Sequence, residues 1–257
     1  MSYTTSTNGR FGNQLIRNVA VHFIAQKHNL KAKYSSRARI ERLGIDLFSG
    51  DKSYPDTDTL NETNYLDVLN ADTFSHNVDP NNAYFQTKES TRMIYDYVRE
   101  KQTQESIIQS NPFRDRYDTN NDCFMHIRLG DVTHLTPGVH YYLNALYQFD
   151  FDHLFIASDS PNHRIVNEIR DKYPKSCIVA LNEVMTIQFG STCRHLILSN
   201  GSFSAVIGYL GFWSSVYHPE YYPEKAWHGD MFSIDGWHAI PLQYHCNETN
   251  DVNCSYA

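Results

Sequence analysis

An arginine closes one of the apolar runs of this sequence. Cys123-Phe-Met-His-Ile-Arg128 leads into Leu129-Gly-Asp131, so a guanidinium stands where a buried strand would release the chain into a loop. A planar cation in that place can hold two phosphate oxygens at once; an ion pair with Asp131 is the plain alternative. A second polar group, Asn200-Gly-Ser-Phe-Ser204, sits between the apolar His195–Ser199 and Ala205–Trp213. The hydroxyls of Ser202 and Ser204, with the N–H groups of a helix's first turn, suit a pyrophosphate, although capping is the commoner use of such residues. Ser158-Asp159 ends a third run, where Asp159 can accept from a base or ribose or cap the next helix.

A fourth group lies near the start. Asn8-Gly-Arg-Phe-Gly-Asn13 lets backbone approach a phosphate closely at Gly12 and Asn13. It is neither the P-loop pattern nor the dinucleotide fingerprint, so neither an ATPase nor a nicotinamide enzyme is supported. Two Asp-x-Asp triplets, Asp56/Asp58 and Asp150/Asp152, have the composition of a divalent-metal site. The first falls in a polar loop and the second precedes an apolar run, so both read as solvated surface. No zincin, nucleophile-elbow or paired Cys/His signature is present.

The elements that must hold these groups alternate. Tyr3–Thr7 reads as a strand, and Gln14–His28 as a helix with Leu15, Val19, Ala20, Phe23 and Ile24 at helical spacing. Residues 50–90 are polar and carry no clear period. Thr91–Gln109 reads as one helix, and the polar stretch after Asn111-Pro112 as a linker. Strands at 123–128, 153–157, 177–180 and 195–199 then alternate with helices at 141–149, 162–173, 183–193 and 205–213. Such alternation predicts an α/β fold with parallel sheets and crossover helices, in two halves, 1–115 and 116–257. Ligands of such sheets bind beyond the carboxyl ends of the strands, where the polar groups of the second half fall.

Composition narrows the classes. The chain has 257 residues, with 22 Lys+Arg against 29 Asp+Glu for a net charge of −7. That balance argues against a general nucleic-acid binder but leaves room for a small anion held by one local cation. No run of about 18 apolar residues makes a membrane span, and no charged-then-apolar leader opens the chain. Five cysteines without C-x-x-C argue against a disulfide framework or structural zinc. Cys123, Cys177 and Cys193 read as buried free thiols, with pairing open for Cys246 and Cys254. Sequons at Asn61, Asn200, Asn247 and Asn253 are expected to be unused, in a reducing, cytoplasmic compartment.

Taken in order, the polar groups resemble a known family. Asn8–Leu15 resembles the N-terminal Gly-Asn-Gln loop of the α-1,2-fucosyltransferases and protein O-fucosyltransferases, and His126-Ile-Arg-Leu-Gly-Asp131 their H-x-R-x-G-D motif. Tyr141-Tyr142 with Ala145-Leu146 continues the likeness. Phe155–Asp159 resembles the F-S-D-D strand end, and His195–Ser204 the H-x-x-x-x-N-S-S-F-S segment. The match spans residues 8–213 and is patchy over 30–120.

The resemblance implies a GT-B architecture of two Rossmann-like halves facing across a cleft. It also implies inverting, metal-independent transfer of a sugar, typically L-fucose from GDP-fucose, to a glycan acceptor. Arg128 would hold the departing β-phosphate, and His126 would lie near the ribose or pyrophosphate. Ser158 and Asp159 would contact the nucleoside. Asn200, Ser202, Phe203 and Ser204 would cradle the pyrophosphate, with Gly12 and Asn13 closing from the other half. Asp131 is the first candidate for the base on the acceptor hydroxyl, ahead of His134 and His140. The sequence departs from the pattern at Ala205-Val206, Leu129 and Ser160, which leaves xylose, rhamnose or another donor sugar open. A non-catalytic carbohydrate- or nucleotide-binding module is the alternative of a different class; an epimerase or dehydrogenase lacks its fingerprint.

Overall fold

The computed structural model describes residues 1–3, 9–220 and 230–242. The chain divides into two compact units, Met1–Asn111 with His228–Ser233, and Pro112–Trp227 with Ile234–Ala257. Among the described residues no helix is long and apolar enough to cross a membrane.

The first unit contains strands β1 (Ser2–Tyr3), β2 (Ala32–Lys33), β3 (Thr57–Thr59) and β4 (Asn77–Asp79), and helices α1 (Phe11–His28), α2 (Arg37–Glu41), α3 (Tyr65–Asn70), α4 (Lys88–Tyr97) and α5 (Lys101–Ser110). β1 pairs with β2 and β3 with β4, both in parallel. The Ser2 hydroxyl accepts from Val78 N–H at 3.0 Å and ties the two ladders together. The strand expected at 3–7 is seen only at Ser2–Tyr3, residues 4–8 lying outside the described residues. Helix α1 starts at Phe11, earlier than its apolar spacing indicated, and buries Leu15, Val19, Ala20 and Ile24. It ends at Asn29, whose left-handed backbone (φ 54°) directs its N–H to Ala25 C=O, the geometry that satisfies a helix's last carbonyls.

The single helix expected over 91–109 is two helices. α4 is capped by Thr87, which accepts from Ser90 N–H, and closes at Val98; Glu100, with a non-helical ψ of 134°, opens α5. Residues 99–106, Arg-Glu-Lys-Gln-Thr-Gln-Glu-Ser, contain no apolar side chain, so no stripe could hold one continuous helix against a core. Val98 and Ile107 are both buried, and the break lets each find its own packing.

The second unit is built on strands β5 (Cys123–Ile127), β6 (Leu154–Ser158), β7 (Cys177–Ile178), β8 (His195–Ile197), β9 (Ser215–Pro219) and β10 (His238–Ile240), with helices α6 (Gly138–Leu146), α7 (Arg164–Lys172), α8 (Glu183–Gly190) and α9 (Ser202–Leu210). All six strands join one parallel sheet in the order β10-β9-β8-β5-β6-β7. β5 is buried along its whole length, as a strand covered by helices on both faces must be. Strands β9 and β10 were not expected from the sequence; β9, five residues ending in a proline, is as long as β5 and β6, and β10 has three. Cys123 and Cys193 are buried as expected, but Cys177 is exposed. It lies on the edge strand β7, where alternation turns it out of the sheet.

Candidate active site

Counted from β5, the sheet runs 3-2-1-4-5-6, the order of a doubly wound sheet, and its direction of winding reverses between β5 and β8. Ligands of such sheets sit outside the carboxyl ends of the strands at that reversal. The pairing puts Ile127 opposite Ser158 and Met125 opposite Ile197. Continued past the strand ends, the same register brings Arg128 beside Asp159 on one side and Asn200 on the other. Three of the four polar groups therefore meet at the switch point.

Arg128 is anchored through its backbone: its N–H donates to the Ser199 hydroxyl at 3.2 Å. Its guanidinium leans over the cap of α9. A Cβ on Gly201 would stand 2.7 Å from Arg128 Nη1, too close for any real side chain. Gly201 has φ 104° and ψ 165°, backbone that is costly for any residue with a Cβ. The cation thus lies directly against the end of α9, where the first N–H groups have no partner within the helix and the dipole is positive. Nη2 reaches Asp131 Oδ1 at 3.3 Å, and Nε is buried without a hydrogen-bond partner. The Arg128 side chain is 12% exposed and that of Asp131 56%, so the carboxylate faces solvent while the cation is mostly enclosed.

The other expected residues fall around this pair. His126, on β5, meets the Ser204 hydroxyl through Nδ1 at 2.5 Å, and its ring lies 5.1 Å from that of Phe203. Ser204 also accepts from Ser199 N–H at 3.0 Å. Asp159 Oδ1 accepts from the N–H groups of Leu129 and Gly130 at 2.8 and 3.2 Å. One carboxylate oxygen therefore fastens the loop after β5 and does not cap the helix after its own strand. The Ser158 hydroxyl accepts from Ser160 N–H at 3.1 Å. Asn200 donates its amide to Leu135 C=O, and Ser202 is the first residue of α9.

Gly12 and Asn13 belong to the first unit, in the opening turn of α1. Asn13 Oδ1 accepts from Gln86 Nε2 at 2.8 Å, and Gln14 Nε2 donates to Gly9 C=O at 2.9 Å. His140 is exposed on α6. The side chain of His134, and Cys246, Cys254, Asn247 and Asn253, lie outside the described residues. The Asp-x-Asp triplets do not form a cluster: Asp56, Asp150 and Asp152 are exposed, and Asp58 pairs with His76 at 3.1 Å. Among the described residues no three His, Cys, Asp or Glu side chains gather around a common point suited to a metal ion.

Three residues at this place were not singled out by residue type and spacing. Gly201 looked like an ordinary turn residue between two polar ones. Ser199 read as the last residue of a strand, yet its hydroxyl accepts from both Arg128 N–H and the Tyr142 hydroxyl, the latter at 3.0 Å. Tyr142 is fully buried on α6, and burial raises its phenol above the ordinary tyrosine value. The only available signal was the Tyr141-Tyr142 pair, a local likeness without an assigned role.

No family model matches the sequence, and no curated protein matches it. Among solved structures the chain is similar to the fucosyltransferase NodZ from Bradyrhizobium, at 11% identity over 81% of this chain and 89% of that one, with a TM-score of 0.48. It is likewise similar to NodZ alpha-1,6-fucosyltransferase co-crystallized with GDP, at 11% identity, the same coverage of both chains and a TM-score of 0.47.

Proposed function

We propose that the second unit binds the diphosphate of a nucleotide sugar and that the chain is a glycosyltransferase. In this reading it transfers a sugar with inversion, L-fucose from GDP-fucose, to a hydroxyl of a glycan acceptor. The observation that carries the reading is the placement of Arg128 against Gly201 at the winding reversal of the sheet. A fixed cation and the N–H groups of a helix end then share one anionic position. The choice of donor sugar rests on the motif resemblance, as do the GT-B pairing of the two halves and the roles of Gly12 and Asn13.

The chemistry follows from where charge develops. The acceptor oxygen attacks the anomeric carbon from the face opposite the diphosphate. The bond from that carbon to the β-phosphate oxygen breaks, and its electron pair leaves with the nucleoside diphosphate. Arg128 Nη1 and the first-turn N–H groups of α9 stabilise that growing charge more in the transition state than in the ground state. In this reading they take the charge that a divalent metal neutralises in other transferases. His126 and Ser204 hold each other behind that position, and Asn200 fixes the turn. Asp159 serves the site by fastening the loop that follows Arg128. Asp131 is proposed to take the acceptor proton, its carboxylate being exposed beside the cation. The expected compartment remains a reducing, cytoplasmic one.

A thermal-shift screen of GDP, UDP and their sugars tests the reading first, because a ligand of the native state raises the melting temperature. Transfer from the best donor to fucose- and galactose-ended acceptors, with and without chelator, tests the rest. Binding without transfer across that panel would favour the non-catalytic module. A flat response to every nucleotide would end the proposal.

A further inference from the structure

Beneath the candidate site a tyrosine hydroxyl is buried where a phenylalanine would fill the same volume. Tyr142 donates to Ser199 Oγ at 3.0 Å, and the same oxygen accepts from Arg128 N–H at 3.2 Å. Two donors occupy the two lone pairs of one serine hydroxyl. A serine side chain has three staggered positions of similar energy; the Tyr142 bond selects the one that faces Arg128. Ser199 N–H in turn donates to Ser204 Oγ at 3.0 Å, and that hydroxyl meets His126 Nδ1 at 2.5 Å. This chain of bonds joins α6, the ends of β5 and β8, and the first turn of α9. It therefore ties together the backbone from which the Arg128 side chain departs and the helix end that its guanidinium covers.

We propose that Tyr142, acting through Ser199, is a positioning residue that holds Arg128 in register with the end of α9. The inference rests on the reading of Arg128 as the diphosphate-binding cation. Neither Tyr142 nor Ser199 touches the ligand in this scheme. Both are enclosed, and their effect reaches the ligand only through the placement of the arginine. Because burial keeps the phenol protonated, its contribution is constant across the neutral pH range.

The test is a double-mutant cycle on the full chain with GDP and UDP as probes. Tyr142→Phe and Ser199→Ala are made alone and on the Arg128→Ala background, which removes the guanidinium to be positioned. Affinity is read by calorimetry, kcat and KM by transfer from the matching nucleotide sugar, and folding by melting curves. Tyr142→Phe is expected to weaken diphosphate affinity and kcat/KM about tenfold, the scale of one hydrogen bond, equally at pH 6 and pH 9. On the Arg128→Ala background, with no guanidinium left to place, the same change is expected to cost nothing further. Unchanged affinity in a folded Tyr142→Phe protein, with Arg128→Ala still impaired, would overturn the positioning role and leave the diphosphate reading intact. An equal loss on both backgrounds would also overturn it, by showing a general packing effect. If the unmodified chain binds neither nucleotide, the diphosphate reading fails and this inference with it. Should Ser199→Ala fail to fold, Tyr142→Phe carries the test alone.

Discussion

Arg128 Nη1 lies 2.7 Å from the point where a Cβ on Gly201 would stand. Seventy-three positions apart in the sequence, the two residues touch because β8 returns to lie beside β5. That contact makes the end of α9 and the guanidinium a single positively charged surface, and the positive φ of Gly201 is what reserves the position for glycine.

Removing the charge should remove the chemistry. Arg128→Ala is expected to lower kcat/KM for sugar transfer by about 10²–10³, the loss typical of one preorganised electrostatic donor, with a melting temperature close to the parent's. Arg128→Lys should recover only part of it, because a point charge replaces a planar fork. Steady-state kinetics beside a melting curve decide this, and near-normal turnover in Arg128→Ala would refute the assignment.

Adding a methyl group at the cap should act on the same pair from the other side. Gly201→Ala places a Cβ against the guanidinium and imposes a backbone conformation reserved for glycine, at a cost of about 1–3 kcal/mol. Denaturant unfolding should show that loss, and calorimetry with the best nucleotide should show weaker binding. A variant as stable as the parent, with unaltered affinity, would contradict the close approach.

The carboxylate of Asp159 should matter for order in the loop after β5. Asp159→Ala removes the oxygen that accepts from the N–H groups of Leu129 and Gly130, whereas Asp159→Asn retains one oxygen. The alanine variant should lose about tenfold in kcat/KM, on the scale of a charge-assisted bond, and the asparagine variant less. Hydrogen exchange at Leu129 and Gly130 reports the cause directly: exchange there should rise in Asp159→Ala.

Stability should fall on mild acidification. Burial lowers the pKa of His22 from 6.5 to about 4, opposed by the Asp46 charge. Its Nδ1 accepts from Phe48 N–H at 2.9 Å, and its Nε2 is buried without a partner. His195, stacked on Phe149 at 3.9 Å, moves the same way to about 4, through burial and then the Arg194 charge. Between pH 6.5 and pH 4 the unfolded chain takes up protons that the folded chain refuses. Stability is therefore full above pH 6.5 and declines toward pH 4. The His22 share is on the order of 3 kcal/mol at 1.36 kcal/mol per pKa unit. Unfolding of the first unit measured at pH 5 and pH 7 should show the slope, and His22→Asn, which retains an acceptor for Phe48 N–H, should flatten it. A slope unaffected by that substitution would mean other groups carry it.

Local chemistry was legible before any coordinates. The apolar runs ending in Arg128, Asp159 and Asn200 announced strands that release polar residues at their carboxyl ends, because side-chain type and spacing alone encode burial. The helix break at Val98–Glu100 was missed: the apolar face of Met93, Ile94, Tyr97 and Val98 was read on through residues 99–106, which carry no apolar side chain to continue it. Strands β9 and β10 were not read from the sequence, since it is pairing with neighbours that makes them strands. Nor was the contact of Arg128 with Gly201, or the Tyr142–Ser199 link behind it. Each depends on which strand lies beside β5, and strand order is decided by how the crossover helices pack across the whole sheet, a property that no local window of sequence contains.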